Sequence, residues 1–151
     1  HKRSSQIVGL RYFNVYGPRQ DPNSEYAAVV PKFITAALSG RQLTIFGDGQ
    51  QTRDFVFVKD VVSANICAAQ ADASGVFNIG SGRQTSVIEL ANLIMKLAGR
   101  QAEPVYRPPK PGEIKHSYSD ISRAGELGYS PKHNLEEGIR KTISSLKWAK
   151  S

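Results

Sequence analysis

The chain has 151 residues, 40% of them apolar and 22% charged, the ordinary balance of a globular domain with a real core. No apolar run approaches the ~20 residues that span a bilayer, the opening HKRSSQ is polar and unlike a secretory leader, and the lone Cys67 excludes an internal disulfide framework. The formal charge of +7, from 20 Lys+Arg against 13 Asp+Glu, points to an anionic partner.

Residues 6–13 are near-continuously apolar and read as a strand buried on both faces, as in a parallel sheet. Residues 14–27, rich in Gly, Pro, Asn and Asp, read as a loop. From Ala28 to Ser39 the set Val29, Val30, Phe33, Ile34, Ala37, Leu38 has helical spacing, with Pro31 in the first turn and Gly40 as the stop. LTIF (43–46) reads as a strand, Gly47-Asp48-Gly49 as a turn and Phe55 to Val58 as another strand. A helix opens at Asp60, or one residue earlier, and runs to about Gln70. Cys67 is expected to be a small core residue of that helix.

Val76 to Ile79 reads as a strand and Gly80-Ser81-Gly82 as a turn. Ser86 and Glu89 have capping-box spacing ahead of a helix closed by Gly99. Pro104, Pro108, Pro109 and Pro111 forbid a helix across residues 101–117, which are expected to be extended and irregular. A short helix near Ser122 to Leu127 precedes a last helix capped by Asn134. Leu135, Ile139, Ile143 and Leu146 form one stripe of that helix, with Trp148 off it. Internal repeats and long linkers are absent, so residues 1–151 read as a single domain.

The segments LRYFNVYGPRQDP, AAVVPKF, LTIFGDGQQTRDFVFVKDV, FNIGSG, KPGE and DISRAGELGYSP follow one another in that order. Together they resemble the carboxy-terminal half of an extended short-chain dehydrogenase/reductase, specifically an NAD-dependent UDP-sugar 4-epimerase. The segment DPNSEYAAVVPKF most resembles the branch acting on UDP-N-acetylhexosamines. The resemblance implies an α/β chain, the carboxy-terminal part of a Rossmann-like NAD-dependent epimerase fold with its small substrate-binding lobe. The amino-terminal NAD-binding half is then absent, in keeping with an opening at His1 and not at a methionine.

The resemblance also implies site residues. Asn14 would hydrogen-bond the sugar or diphosphate of a UDP-sugar, and Tyr12 would face the nicotinamide. Ligands of open α/β sheets do sit beyond strand carboxyl ends, where an amide offers both donor and acceptor. Arg53 would hold the diphosphate, for which a planar guanidinium is suited. Phe46 would lie against the uracil, and the backbone of Val29 and Val30 would hold the base. Lys110 stands where the family usually has arginine; it keeps the charge and loses the fork, and Arg107 could substitute. Glu113 would accept from the ribose hydroxyls. Ser117 falls at the gate beside the sugar 2-substituent, where a small residue leaves room for an N-acetyl group. Asp54 is expected to orient a neighbour and not to touch ligand.

The family's reaction needs NAD on a glycine-rich turn and a helical Tyr-x-x-x-Lys pair. Gly80-Ser81-Gly82 lacks the third glycine. Tyr106 to Lys110 matches the pair as text, but Pro108 and Pro109 forbid the helical geometry. No catalytic residue is therefore assigned, and this chain alone is expected to bind no NAD. His1, His116 and His133 lack metal-ligand spacing and take surface roles, as do the acids, which show no pairing by spacing. Scattered basic residues without an aromatic-basic or zinc-finger signature make nucleic acid a poor partner. A nucleotide-sugar dehydratase or decarboxylase of the same superfamily remains an alternative. So does a self-associating module left from a truncated gene. A homo-oligomer in the cytoplasm is the expected setting.

Overall fold

The computed structural model describes residues 6–23 and 28–148, apart from the side chains of Lys147 and Trp148. The start of HKRSSQ, part of DPNSEYAAVVPKF and the Trp148 side chain thus lie outside the described residues.

The first extended segment does not end on Asn14. Strand β1 (Val8–Tyr12) pairs in parallel with β6 (Gly75–Ile79). One residue later β2 (Asn14–Tyr16) pairs in parallel with β5 (Phe55–Phe57). The switch falls at Phe13. Its N–H donates to Ile79 O at 3.0 Å, while the N–H of Asn14 donates to Asp54 O at 3.0 Å. Val15 and Tyr16 are good strand formers, so the loop expected from Asn14 begins only at Gly17-Pro18. The expectation of burial on both faces also fails for β1, whose Arg11 and Tyr12 are exposed. It describes β5 instead, where all three residues are buried.

Helix α1 (Val29–Leu38) carries Pro31 in its first turn, where the missing N–H costs nothing. Strand β3 (Thr44–Phe46) follows and pairs in parallel with β8 (Val105–Arg107). The span expected to be extended and irregular thus holds one short strand, where Val105 and Tyr106 precede the Pro108-Pro109 stop. Strand β4 (Thr52–Arg53) pairs antiparallel with β7 (Thr85–Ser86), and Thr52 also bridges to His116.

Helix α2 (Val58–Gln70) starts directly from β5, two residues before Asp60. Cys67 is only half-buried, its thiol 3.7 Å from Gly128 O, because α2 turns Val62 and Ile66 outward. Helix α3 (Val87–Ala98) has the full capping box: Ser86 Oγ accepts from the Glu89 N–H, and the Glu89 carboxylate accepts from the Ser86 N–H at 2.7 Å. Gly99 closes it at φ 68°, a left-handed angle that glycine adopts without strain. A short 3-10 helix (Ser122–Leu127) precedes α4 (Leu135–Trp148), at whose start Asn134 and Glu137 cap each other.

The main core gathers α1, α3 and α4 around Ile45 and Phe57, with Ile34, Leu90, Ile94 and Ile139 fully buried. Each such side chain contributes about 1.5–3 kcal/mol over an exposed one. Tyr16 spans from β2 to α4, where its hydroxyl donates to Leu135 O at 3.3 Å. Burial, with Asp60 and Glu137 nearby, pushes that phenol well above its ordinary pKa, so it stays a donor. A smaller cluster joins Val56, Val61, Ala64 and Ile79 to Ala124 and Tyr129.

Candidate functional site

An open cleft of about 730 Å³ runs between the first turns of α1, the end of β3, β4 and the segment Lys110 to Glu113. A second hollow of about 650 Å³ adjoins it and shares Phe46, Gln51, Lys110 and Glu113. Six of the residues singled out from sequence meet around the larger cleft: Asn14, Val29, Phe46, Arg53, Lys110 and Glu113.

Short polar contacts hold these side chains in place. Arg53 sits on β4 opposite Thr85. Its Nη1 donates to Thr52 O at 2.8 Å and its Nη2 lies 3.4 Å from Glu113 Oε1. The Arg53 side chain is 16% exposed; its bond to Thr52 O is partly buried, whereas its pair with Glu113 faces solvent. Lys110 Nζ stands 4.4 Å from the centre of the Phe46 ring, a cation–π contact that covers one ring face. Gln51, buried, donates its side-chain amide to Phe46 O at 2.7 Å and fixes the end of β3. The segment carrying Glu113 is tied on by Thr52, whose N–H donates to Lys115 O at 2.9 Å and whose carbonyl accepts from Ser117 N–H at 3.0 Å.

The other three residues lie elsewhere. The Val30 side chain is wholly within the main core. Ser117 is half-buried beside β4, and lines neither hollow. Tyr12 is 46% exposed and its hydroxyl donates to Asn65 Oδ1 at 2.9 Å, on the α2 side of β1. Arg107, opposite Phe46 in the β3–β8 register, lines the adjoining hollow with Lys110. Tyr106 belongs to β8, so the textual Tyr-x-x-x-Lys is a strand followed by prolines.

Sequence reading missed Lys32 and Arg41, which also line the larger cleft. Their signal, two cations near the ends of one amphipathic helix, is too common to single out. Among the described residues the cleft lining then carries Lys32, Arg41, Arg53 and Lys110 against Glu113. That excess of positive charge suits an anion, and the Arg53 fork suits paired oxyanions.

The default of surface roles is corrected for Asp60 and His133. Asp60 is buried and accepts from the N–H groups of Lys132 and His133 at 3.2 and 3.1 Å, and pairs with His133 Nδ1 at 2.8 Å. Asp54 is fully buried beneath Gly80-Ser81-Gly82. Its Oδ1 accepts from Ser81 N–H and Oγ–H, both at 2.7 Å. Its Oδ2 accepts from Gly82 N–H at 2.9 Å and from the Ser119 hydroxyl. Paired N–H groups of this kind form an anion nest, and here the protein's own carboxylate fills it. This turn therefore offers no donors to a dinucleotide phosphate, and the described residues do not fit NAD there.

The family model described as the NAD dependent epimerase/dehydratase family matches residues 1–80. A putative UDP-glucose 4-epimerase of Methanocaldococcus jannaschii is 45% identical over 138 residues, 91% of this chain and 45% of that protein. The UDP-glucose 4-epimerase of Mycolicibacterium smegmatis is 48% identical over 86% of this chain and 42% of that one. The crystal structure of the Thermotoga maritima UDP-glucose 4-epimerase with UDP-glucose superposes with a TM-score of 0.92 at 46% identity, over 95% of this chain and 47% of that chain. The match in order and in three dimensions makes this chain a member of the NAD-dependent epimerase/dehydratase family, with the Rossmann-like α/β fold of its UDP-sugar 4-epimerases. It spans about half the length of the curated relatives it matches.

Proposed function

We propose that this chain is the UDP-sugar-binding portion of an NAD-dependent nucleotide-sugar 4-epimerase. The observation that carries the reading is the convergence of Arg53, Lys110 and Phe46 on one cationic cleft. In this reading Arg53 takes the diphosphate through two parallel N–H bonds, and Lys110 adds a point charge. Phe46 lies against the uracil and the backbone at Val29 and Val30 holds the base edge. Glu113, already bonded to Arg53, turns to the ribose hydroxyls, and Asn14 meets the sugar or its diphosphate. Ser117 acts as the small gate by the 2-substituent.

Epimerisation itself requires hydride transfer through NAD and a tyrosine that takes the sugar 4-hydroxyl proton. The residues of this chain bind and orient; the proton and hydride steps belong to groups it does not supply, and alone it neither epimerises nor holds NAD. A second reading, the same portion of a decarboxylase, is favoured by a UDP-N-acetyl-alpha-D-glucosaminuronate decarboxylase of Bacillus cytotoxicus, 37% identical over 91% of this chain. The identities of 45% and 48% to 4-epimerases favour the first.

Calorimetric titration of the purified chain with UDP, and with NAD as the paired control, tests the reading. Heat with UDP and none with NAD is expected. Arg53→Ala should weaken UDP by roughly 30-fold, the worth of about 2 kcal/mol for hydrogen bonds to a charged group. A folded chain that gives no heat with UDP overturns it.

A further inference from the structure

We propose that Asp54 is the positioning residue of the cleft: a buried residue whose backbone registers Asn14 and whose carboxylate holds the Glu113 segment and the β6 exit beside Arg53. The proposal rests on the cleft being a diphosphate site, but its geometry stands apart from that reading. Asp54 is fully buried and touches none of the cleft space. Its backbone carbonyl accepts the Asn14 N–H at 3.0 Å, so β2 is registered on it directly. Arg53 is its chain neighbour. The guanidinium bonds Thr52 O and Glu113, leaving the Asp54 carboxylate to other partners.

Those partners belong to two further segments. Ser81 and Gly82 form the exit turn of β6, and Ser119 ends the stretch that carries Glu113 past Thr52. Asp54 thus joins four segments: its backbone ties it to β2 and, by chain continuity, to β4, and its carboxylate holds the β6 exit and Ser119 of the 113–119 segment. The seam needs such a clamp because its strands are two or three residues long, and of their residues only Tyr16 and Ser86 are buried. Gly80 confirms how close the parts lie: a Cβ there would fall on the Ser119 hydroxyl and 2.7 Å from Asp54 Oδ2. Tyr129 pins the same residue by donating its hydroxyl to Gly80 O at 2.7 Å.

Each Asp54 oxygen faces one backbone N–H, so neither orientation of an asparagine could serve both. The informative variant is therefore gentler. Ser119→Ala removes one hydroxyl donor and keeps both N–H bonds, and Ser81→Ala does the same on the other oxygen should the first fail to fold. Two readouts decide. Amide exchange at Asn14, Thr52 and Ser117 should quicken severalfold relative to amides of α3, and UDP should bind about fivefold more weakly. Combining the variant with Arg53→Ala should lose less than the sum of the two, since part of the clamp's effect passes through the guanidinium.

Unchanged exchange at those three amides, or equal acceleration in α3, would reduce Asp54 to a general stabiliser and overturn the proposal. So would undiminished UDP affinity, or losses that simply add. If the unaltered chain gives no heat with UDP, the diphosphate reading falls, and the exchange comparison alone decides whether the clamp exists.

Discussion

The α1–α3–α4 core and the β2–β4–β7 seam are held by different means. The core buries Ile34, Leu90, Ile94 and Ile139 from long helices, and its contacts are many and interchangeable. The seam's strands are two or three residues long, and the Asp54 carboxylate binds the Ser81-Gly82 turn and Ser119 beside them. Dispersion and burial tolerate small changes of shape, whereas a buried carboxylate loses more when a donor is left unmatched. The cleft stands on the seam, so its geometry depends on the less forgiving of the two.

The largest expected effect sharpens that contrast. Asp54→Asn, near-isosteric, should destabilise by about 3 kcal/mol, because one backbone N–H is left facing an amide NH2 in a dry site. Ile94→Val, also conservative, should cost only about 1 kcal/mol in the core. Denaturant unfolding of both variants compares them directly. Equal losses would erase the distinction between core and seam.

Next comes steric crowding. Gly80→Ala should cost roughly 2 kcal/mol, since the new methyl collides with Ser119 and Asp54 in a rigid setting. Gly125→Ala meets nothing within 4 Å and should change the midpoint little. A tolerant Gly80 would mean that the seam can open without loss.

The same contrast decides what could be read from sequence. The core was legible: the α1 spacing, the Ser86–Glu89 box, the Gly99 stop and the Ile139–Ile143 stripe all describe observed elements. Helical periodicity and capping are local rules, and the helices obey them. β2, β4 and β7 leave no readable signal and β8 reads only as extended chain, because two or three residues carry no period. Asp54 and Asp60 were legible as acids and not as buried ones. Their partners, Ser81, Ser119 and His133, lie 27, 65 and 73 residues away. Arg53, Phe46, Lys110 and Glu113 could be gathered from a resemblance of ordered motifs. Lys32 and Arg41 could not, since only the folded cleft brings them to the same wall.

The smallest effects return to the core's edge, where a cap does in exposed form what Asp54 does in buried form. Ser86→Ala should cost about 1 kcal/mol by thermal unfolding, the usual worth of an N-cap side chain. Glu89 completes that box, and the bonds from the Ser86 N–H and hydroxyl hold its carboxyl below the usual carboxylate range. A depressed carboxylate stabilises the fold above its unfolded pKa, and that contribution is lost as pH falls through the folded value. The decline should therefore begin below about pH 4.5, the ordinary glutamate value. Glu89→Gln keeps a capping group and removes the titration. Its melting temperature should fall less steeply from pH 5 to pH 3 than that of the unaltered chain, by a difference small enough to need paired scans. Parallel slopes would mean that the carboxylate is screened by water at this edge. The seam's buried Asp54 would then be the stronger case for a carboxylate that organises backbone.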